Sequence, residues 1–371
     1  MKKILLLAYT NLNFGDDMFI KTVCSYFPSQ EFELIADKAY RMIFKDIKNL
    51  YVKPYEDELI FHRLETKIDK GTRYYFKNKY KAVVYIVGSL FDEASIVNGV
   101  REYGIVNFKK LLLKNSFVEG VPFFLLGSNM TTVDSSEYKK YMEYIFQGLI
   151  DVCFRDRFSY ESFSYLENIR YASDVVLNYN CIPREKKDEV IISVWGKVMH
   201  SDLYSEVKYL KRYWDPYKSF LIELITKLQR MNKRICLLAL CVPEGDLDAC
   251  NAVYNQLENK ENVSIKSYSG NLTDTISLFE KTKYVVGTRF HSIIMAINAG
   301  CVLYPIVYEA KSENFLKDIR YQGCYSHIEN ISSYNVDKVV DEFKKEYRYD
   351  ADDIKIDARK QFAVLDEFLK Y

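Results

Sequence analysis

The sequence predicts an α/β protein built as two Rossmann-like domains facing a central cleft. Three observations carry this expectation. Short, nearly continuous apolar runs recur, among them ILLLA (4–8), AVVYIV (82–87) and VIISV (190–194). Such runs suit strands buried on both faces of a parallel sheet. Several end in glycine or a polar turn and pass into a helix-period segment, as IVGS (86–89) and FFLLGSN (123–129) do. Finally, the charged, proline-bearing stretch PREKKD (183–188) interrupts the pattern, which then restarts. A chain of 371 residues favours two domains or one large one. The expected division is 1–182, 183–340 and a helical segment 341–371 that packs across the two.

Taken in order, strand 4–8 opens into the turn YTNLNFGD (9–16), and Asp16 or Asp17 is placed to cap a helix running to about residue 26. Gly15 permits a turn or a close backbone approach, and Asn13 has the side chain to hold the loop. The loop lacks the GxGxxG spacing of a dinucleotide fingerprint. A second strand is expected at 32–35, while the mixed, charged stretch 41–77 receives no assignment. After strand 82–87 come Gly88 and Ser89, a polar site loop at 90–99, and a helix at 107–114. Strand 122–126 ends at Gly127, so Gly88 and Gly127 either line one crevice or simply end their strands. Helices follow at 138–149 and from Ser159, with the apolar 152–154 and Arg155 between them. Arg155 either braces the crevice or reaches a ligand. Residues 171–177, with Asp174, close the first half.

The second half opens with strand 190–194 and the turn Trp195-Gly196-Lys197, where Lys197 either meets an anion or stays solvated. Helix 217–231, strand 234–240, helix 245–259, strand 263–268 and helix 274–281 lead to the stretch that organises the chain, 284–311. There a strand (284–286) breaks at Gly287-Thr288, a helix (292–299) closes at Gly300, and a strand (301–307) follows. Helices at 336–345 and 354–369 end the chain.

A helix start exposes unpaired N–H groups and the positive end of the helix dipole. Arg289 and His291 both fall at such a start, where a cation is disfavoured unless an anion joins it. Either a phosphate or carboxylate ligand binds there, or Arg289 pairs with a structural carboxylate and His291 is a hydrogen-bonded cap. Lys311, beyond the next strand, either converges on the same ligand or is a surface lysine.

Composition narrows the partners. With 52 basic and 51 acidic residues, no bulk field or basic tail favours nucleic acid. The eight cysteines form no CxxC pair and the four histidines are not at ligand spacing, so no metal is expected. The apolar run after Lys2-Lys3 is too short for a signal peptide, and no run is long enough to cross a bilayer. A cytoplasmic protein with reduced thiols is expected.

GTRFHSIIMAINAG (287–300), followed by Pro305, Tyr308 and Lys311, resembles the signature of the polysaccharide pyruvyl transferase family. NFGDD (13–17) resembles that family's Asn-x-Gly-Asp-acid loop, IVGS its glycine-rich strand end, FRDRFSYE (154–161) its Arg-x-x-x-Ser segment, and SDVVL (173–177) its alanine-Asp segment. Two positions differ: Ser89 and Leu90 follow Gly88 where members often carry glycines, and Trp195 stands near a place where many carry arginine, with Lys197 the nearby cation.

The resemblance implies a two-domain architecture of the GT-B glycosyltransferase type, phosphoenolpyruvate as donor, no cofactor, and a saccharide or lipid-linked oligosaccharide acceptor. It carries donor contact to Arg289 and His291, joined by Lys197 and Lys311. Asn13, Gly15, Asp17, Gly88, Ser89, Gly127, Arg155 and Tyr308 are the expected crevice lining. Asp16 is the candidate base for the acceptor hydroxyl, with His291 and Arg289 completing the catalytic set. Such chemistry places the protein in the cytoplasm or at the inner face of the membrane, associated peripherally. The alternatives are a nucleotide-sugar-dependent glycosyltransferase and a noncatalytic relative in polysaccharide assembly.

Overall fold

A computed structural model describes residues 2–54, 77–89, 121–130, 133, 135–200 and 210–371. The expected loop 90–99 and helix 107–114 lie outside the described residues. The chain divides into two compact units: Met1–Thr10, Met18–Asn178 and Ile354–Tyr371 form the first, and Asn11–Asp17 with Tyr179–Asp353 form the second.

The first unit holds a seven-stranded parallel sheet of β1 (Lys3–Ala8), β2 (Phe32–Ala36), β3 (Leu50–Pro54), β4 (Tyr80–Ile86), β5 (Phe123–Ser128), β6 (Asp151–Phe154) and β7 (Ile169–Tyr171). Its strand order is 3-2-1-4-5-6-7. Helix α1 (Phe14–Tyr26) follows β1; α2 (Ser136–Gln147) and α3 (Arg157–Phe163) flank β6. The central strands are buried nearly throughout, as their unbroken apolar runs require. β3 falls in the stretch the sequence left unassigned. It is an edge strand with only Val52 and Pro54 buried, too short and mixed to give a period.

The second unit holds a six-stranded parallel sheet of β8 (Lys187–Ser193), β9 (Arg234–Ala239), β10 (Val263–Ser267), β11 (Thr282–Gly287), β12 (Val302–Val307) and β13 (Ser326–His327), in the order 10-9-8-11-12-13. Helices α4 (Trp214–Arg230), α5 (Asp246–Asn255), α6 (Leu272–Lys281), α7 (Phe290–Asn298), α8 (Ala310–Asp318) and α9 (Asp337–Lys345) connect and cover it. Leu221, Leu224 and Leu228 of α4 belong to one core with Ile192, Leu237 and Val286 of the sheet. β8 begins inside the segment read as a linker, because Lys187 pairs in register with Thr282 of β11.

Both sheets carry the Rossmann strand order, and in each the order reverses beside the first strand: between β1 and β4, and between β8 and β11. Loops leaving the carboxyl ends at such a reversal diverge to opposite faces and open a crevice for ligands. Lys197 follows β8, and Arg289 and His291 follow β11, so these residues flank the reversal of the second sheet.

Of the helix starts that differ from expectation, two carry expected site residues. α1 begins at Phe14, because the Asn13 carbonyl already accepts the Asp17 N–H at 3.0 Å and the Asn13 side chain holds the Gly15 N–H at 2.9 Å. Asn13 therefore does the capping, and Asp16 and Asp17 lie inside the first turn, where the dipole favours acids. α7 likewise starts at Phe290, with Arg289 as its extended N-cap residue.

The chain's last helices, α10 (Asp352–Arg359) and α11 (Ala363–Leu369), are separated by a turn carrying Gln361, which is fully buried. Its amide oxygen accepts the Gly127 N–H at 3.1 Å, and its nitrogen donates to the carbonyls of Ala172 (2.8 Å), Ser173 (3.2 Å) and Phe154 (3.3 Å). One side chain thus satisfies backbone groups where β5, β6 and β7 end. Gln361→Leu removes these bonds; the Phe154 carbonyl keeps the Ala172 N–H at 3.1 Å, and each group left without a partner costs about 1–3 kcal/mol. Denaturant unfolding is expected to show that loss, and an unchanged midpoint would refute the role.

Candidate functional site

The carboxyl end of the second sheet is built around a buried acid. Asp246, fully buried, opens α5 just after Gly245, which takes a left-handed φ of 82°. Its carboxylate accepts Arg289 Nε at 2.9 and 3.0 Å and Nη2 at 2.5 Å, the Gly196 N–H at 2.9 Å and the Cys241 N–H at 2.9 Å. The loops after β8, β9 and β11 are thereby tied to one side chain. Arg289 Nη1 reaches Glu244 Oε2 at 2.5 Å. The guanidinium is thus held by two carboxylates, the structural pairing that the sequence left as one of two options. Gly196 is required here, since a Cβ on it would lie 2.0 Å from the Gly245 carbonyl oxygen. Tyr217 of α4 pins the same loops, its hydroxyl 2.9 Å from Thr288 Oγ1 and accepting the Trp195 N–H at 3.3 Å.

Around this hub the structure gathers Lys197, Tyr308 and Lys311. Burial pushes the Glu244 carboxyl up, but Arg289, Lys197 and Lys311 together outweigh it and hold it below its ordinary value. Glu309 behaves alike: burial raises it, and Lys311, the Tyr308 hydroxyl and Lys197 bring it down. Lys311 Nζ lies 2.8 Å from Glu309 Oε1. Tyr308 stacks on Trp195 with ring centroids 4.3 Å apart, and burial drives its hydroxyl pKa well up, so it stays neutral. Lys197, Lys311, Arg289 and Tyr308 therefore share one electrostatic neighbourhood.

The N-terminal loop 11–17 belongs to the same unit. Asn13 bridges Cys241, and the Phe14 N–H donates to the Leu240 carbonyl at 3.0 Å. The Phe14 ring lies between Tyr268 and Phe279. Gly15 meets the imidazole of His291 so closely that a Cβ would sit 1.8 Å from Nδ1. Asp16, half-buried, is next in this turn. Asp17 is fully buried and accepts the Tyr268 hydroxyl at 2.5 Å, so its carboxylate serves packing.

The remaining expected residues form a separate network in the first unit. Arg155, buried, pairs with Asp174 at 3.0 Å and donates to Asn129 Oδ1 at 2.6 and 3.1 Å and to Ser89 Oγ at 3.5 Å. A Cβ on Gly88 would meet Arg155 Nη2 at 3.0 Å. Arg155 is thus a brace across the ends of β4, β5 and β6. Gly127, the penultimate residue of β5, takes φ of 71°, and a Cβ there would lie 2.9 Å from Val175.

Sequence reasoning missed Glu244, Asp246 and Asn129. The available signal was VPEGD (242–246) directly after an apolar strand: acids at a strand's carboxyl end, beside a glycine, stand where α/β sheets place ligand-facing groups. Among the described residues no group of histidines, cysteines and acids is arranged to hold a metal, and no helix is long and apolar enough to cross a membrane.

A profile of the family described as polysaccharide pyruvyl transferase matches residues 13–310. No curated protein matches the sequence. Among solved structures, HepE of Anabaena, crystallised with UDP and glucose, aligns over 100% of both chains with a TM-score of 0.55 and 11% identity. The UDP-GlcNAc 2-epimerase of Methanocaldococcus jannaschii covers 99% of this chain and 100% of its own, with a TM-score of 0.55 and 10% identity. TarM aligns over 100% of this chain and 98% of its own, with a TM-score of 0.53 and 11% identity. These similarities are of fold, and they place the two parallel sheets in a GT-B-like two-domain architecture.

Two substitutions test the site. Asp246→Asn weakens the hold on Arg289 and is expected to cost about 3–5 kcal/mol of unfolding free energy, as loss of one member of a buried ion pair does. A cost below about 1 kcal/mol would deny Asp246 its central place. Gly15→Ala is expected to displace the His291 ring. With four histidines in the chain, the imidazole NMR signal that disappears in His291→Gln should be the one that shifts most in Gly15→Ala. An unmoved signal would contradict the contact.

Proposed function

The chain belongs to the polysaccharide pyruvyl transferase family, and on that premise we propose that it transfers a pyruvyl group from phosphoenolpyruvate to a pair of hydroxyls on a cell-surface polysaccharide or its precursor. The observation that carries the reading is the meeting of the family's two most separated motifs. The NFGDD loop seats Gly15 against His291, while Arg289, Lys197, Tyr308 and Lys311 gather beside it at the reversal of the second sheet.

The reaction balances without a redox step. One hydroxyl oxygen bonds to the central carbon of the enol phosphate as its proton leaves, and the methylene carbon takes up a proton to become methyl. Phosphate departs with the electron pair of its bond to the central carbon. The second hydroxyl oxygen then bonds to that carbon and loses its proton, closing the ketal. In this scheme Lys197 and Lys311 contact the donor's carboxylate and phosphate. Arg289, its fork engaged by Asp246 and Glu244, holds the loops that present these groups. His291 delivers a proton or holds phosphate. Asp16 takes the proton of the acceptor hydroxyl.

A second reading, transfer from a nucleotide sugar, is favoured by one observation. The arginine fork that would clasp a small donor bidentately faces protein carboxylates instead, and lysine does not reproduce that fork. The two readings separate in one assay series. Purified protein is expected to release phosphate from phosphoenolpyruvate when a suitable glycan is present, and thermal shifts are expected with phosphoenolpyruvate rather than with UDP-glucose. Stabilisation by UDP-glucose alone, with no acceptor-dependent phosphate release across a broad glycan panel, would favour the second reading and sink the first.

A further inference from the structure

The cations of the second-unit crevice are balanced by its own acids: Lys197, Arg289 and Lys311 stand against Glu244, Asp246 and Glu309. A ligand bearing both carboxylate and phosphate therefore finds the lysines already neutralised unless one carboxylate withdraws. The three acids are not equally able to do so. Glu244 and Asp246 are buried and bound to Arg289 by directional hydrogen bonds of 2.5–3.0 Å. Withdrawing either strands a buried guanidinium or a buried carboxylate. Glu309 is held more loosely than either. Its side chain is 26% exposed, and its partner Lys311 is 20% exposed. Glu309 Oε1 is shielded within the ion pair, 2.8 Å from Lys311 Nζ, without an aligned hydrogen bond, and the neutral Tyr308 hydroxyl is the carboxylate's other neighbour. Although Glu309 is the N-cap residue of α8, its side chain makes no capping hydrogen bond, so its departure leaves the helix start as it was.

We propose that Glu309 is an internal competitor for the donor's anionic group. In the ligand-free protein its carboxylate neutralises Lys311. On binding, the donor's carboxylate or phosphate takes its place beside Lys311, at the positive end of α8, and Glu309 turns to solvent. Glu309 is thus a determinant of donor affinity, set against the residues that bind the donor. The inference rests on the phosphoenolpyruvate reading above for the identity of the ligand.

Calorimetric titration of the full chain with phosphoenolpyruvate, and separately with inorganic phosphate, tests it. Glu309→Gln is expected to bind both roughly three- to fivefold more tightly than the unmodified protein, the range of a part-exposed charge pair. Glu309→Ser, which supplies a favourable N-cap side chain, should show the same gain if the glutamine variant folds poorly. The gain should vanish in a Lys311→Met background. Equal or weaker binding by both Glu309 variants, with measurable binding by the unmodified protein, would overturn the inference and leave the donor reading intact. A gain that persists without Lys311 would overturn it too, by showing a general charge effect. Failure of the unmodified protein itself to bind phosphoenolpyruvate would overturn the donor reading, and this inference with it.

Discussion

The second unit depends on the buried carboxylate of Asp246. Three loops that leave different strands converge on it, through the N–H groups of Gly196 and Cys241 and the guanidinium of Arg289. A charge with no solvent around it is tolerated only when its partners are both opposite in sign and well aligned. Here the alignment requires two glycines. Gly245 must take a left-handed turn to start α5, and Gly196 must let two backbones approach closer than any side chain allows. The geometry of the crevice follows from satisfying one acid, and Arg289 is as much a part of that framework as of any ligand site.

That view changes how the cation cluster is understood. An arginine at the start of α7 faces an unfavourable dipole and needs an anion. The protein supplies two, Asp246 and Glu244, so the helix start is stable with no ligand bound. Beside this framework Lys311 is paired with Glu309, and the His291 ring is set by its packing on Gly15. In the first unit the same economy appears with Arg155, Asp174 and Asn129, where a buried cation ties the sheet's carboxyl edge together. Gln361 performs the uncharged equivalent for the neighbouring strand ends.

Much of this was legible in the sequence, for identifiable reasons. Strands buried on both faces write unbroken apolar runs, so 4–8, 82–87, 190–194 and 301–307 were readable directly, and two parallel sheets followed from them. The polar-in-sequence, structural-in-fact residues were not legible. Asp17 reads as a site acid, yet it is buried against Tyr268, a partner 251 residues away. Glu244 and Asp246 lie in a short turn whose meaning depends on Arg289, more than 40 residues further on. β3 failed to declare itself because an edge strand needs little apolar patterning, and the bracing role of Arg155 could be weighed but not settled without Asn129 beside it. Periodicity reports burial along one element. It carries no record of which distant side chain completes a charge.

The central claim is that a small anion binds at the reversal of the second sheet, on a framework fixed by Asp246 and Arg289. The most direct measurement is an experimental structure of the protein soaked with phosphoenolpyruvate. The account expects density for the donor within hydrogen-bond distance of Lys197, Lys311 and His291, with the Arg289 to Asp246 contacts unchanged. Donor density elsewhere on the protein, or density here that requires Arg289 to leave Asp246, would contradict it.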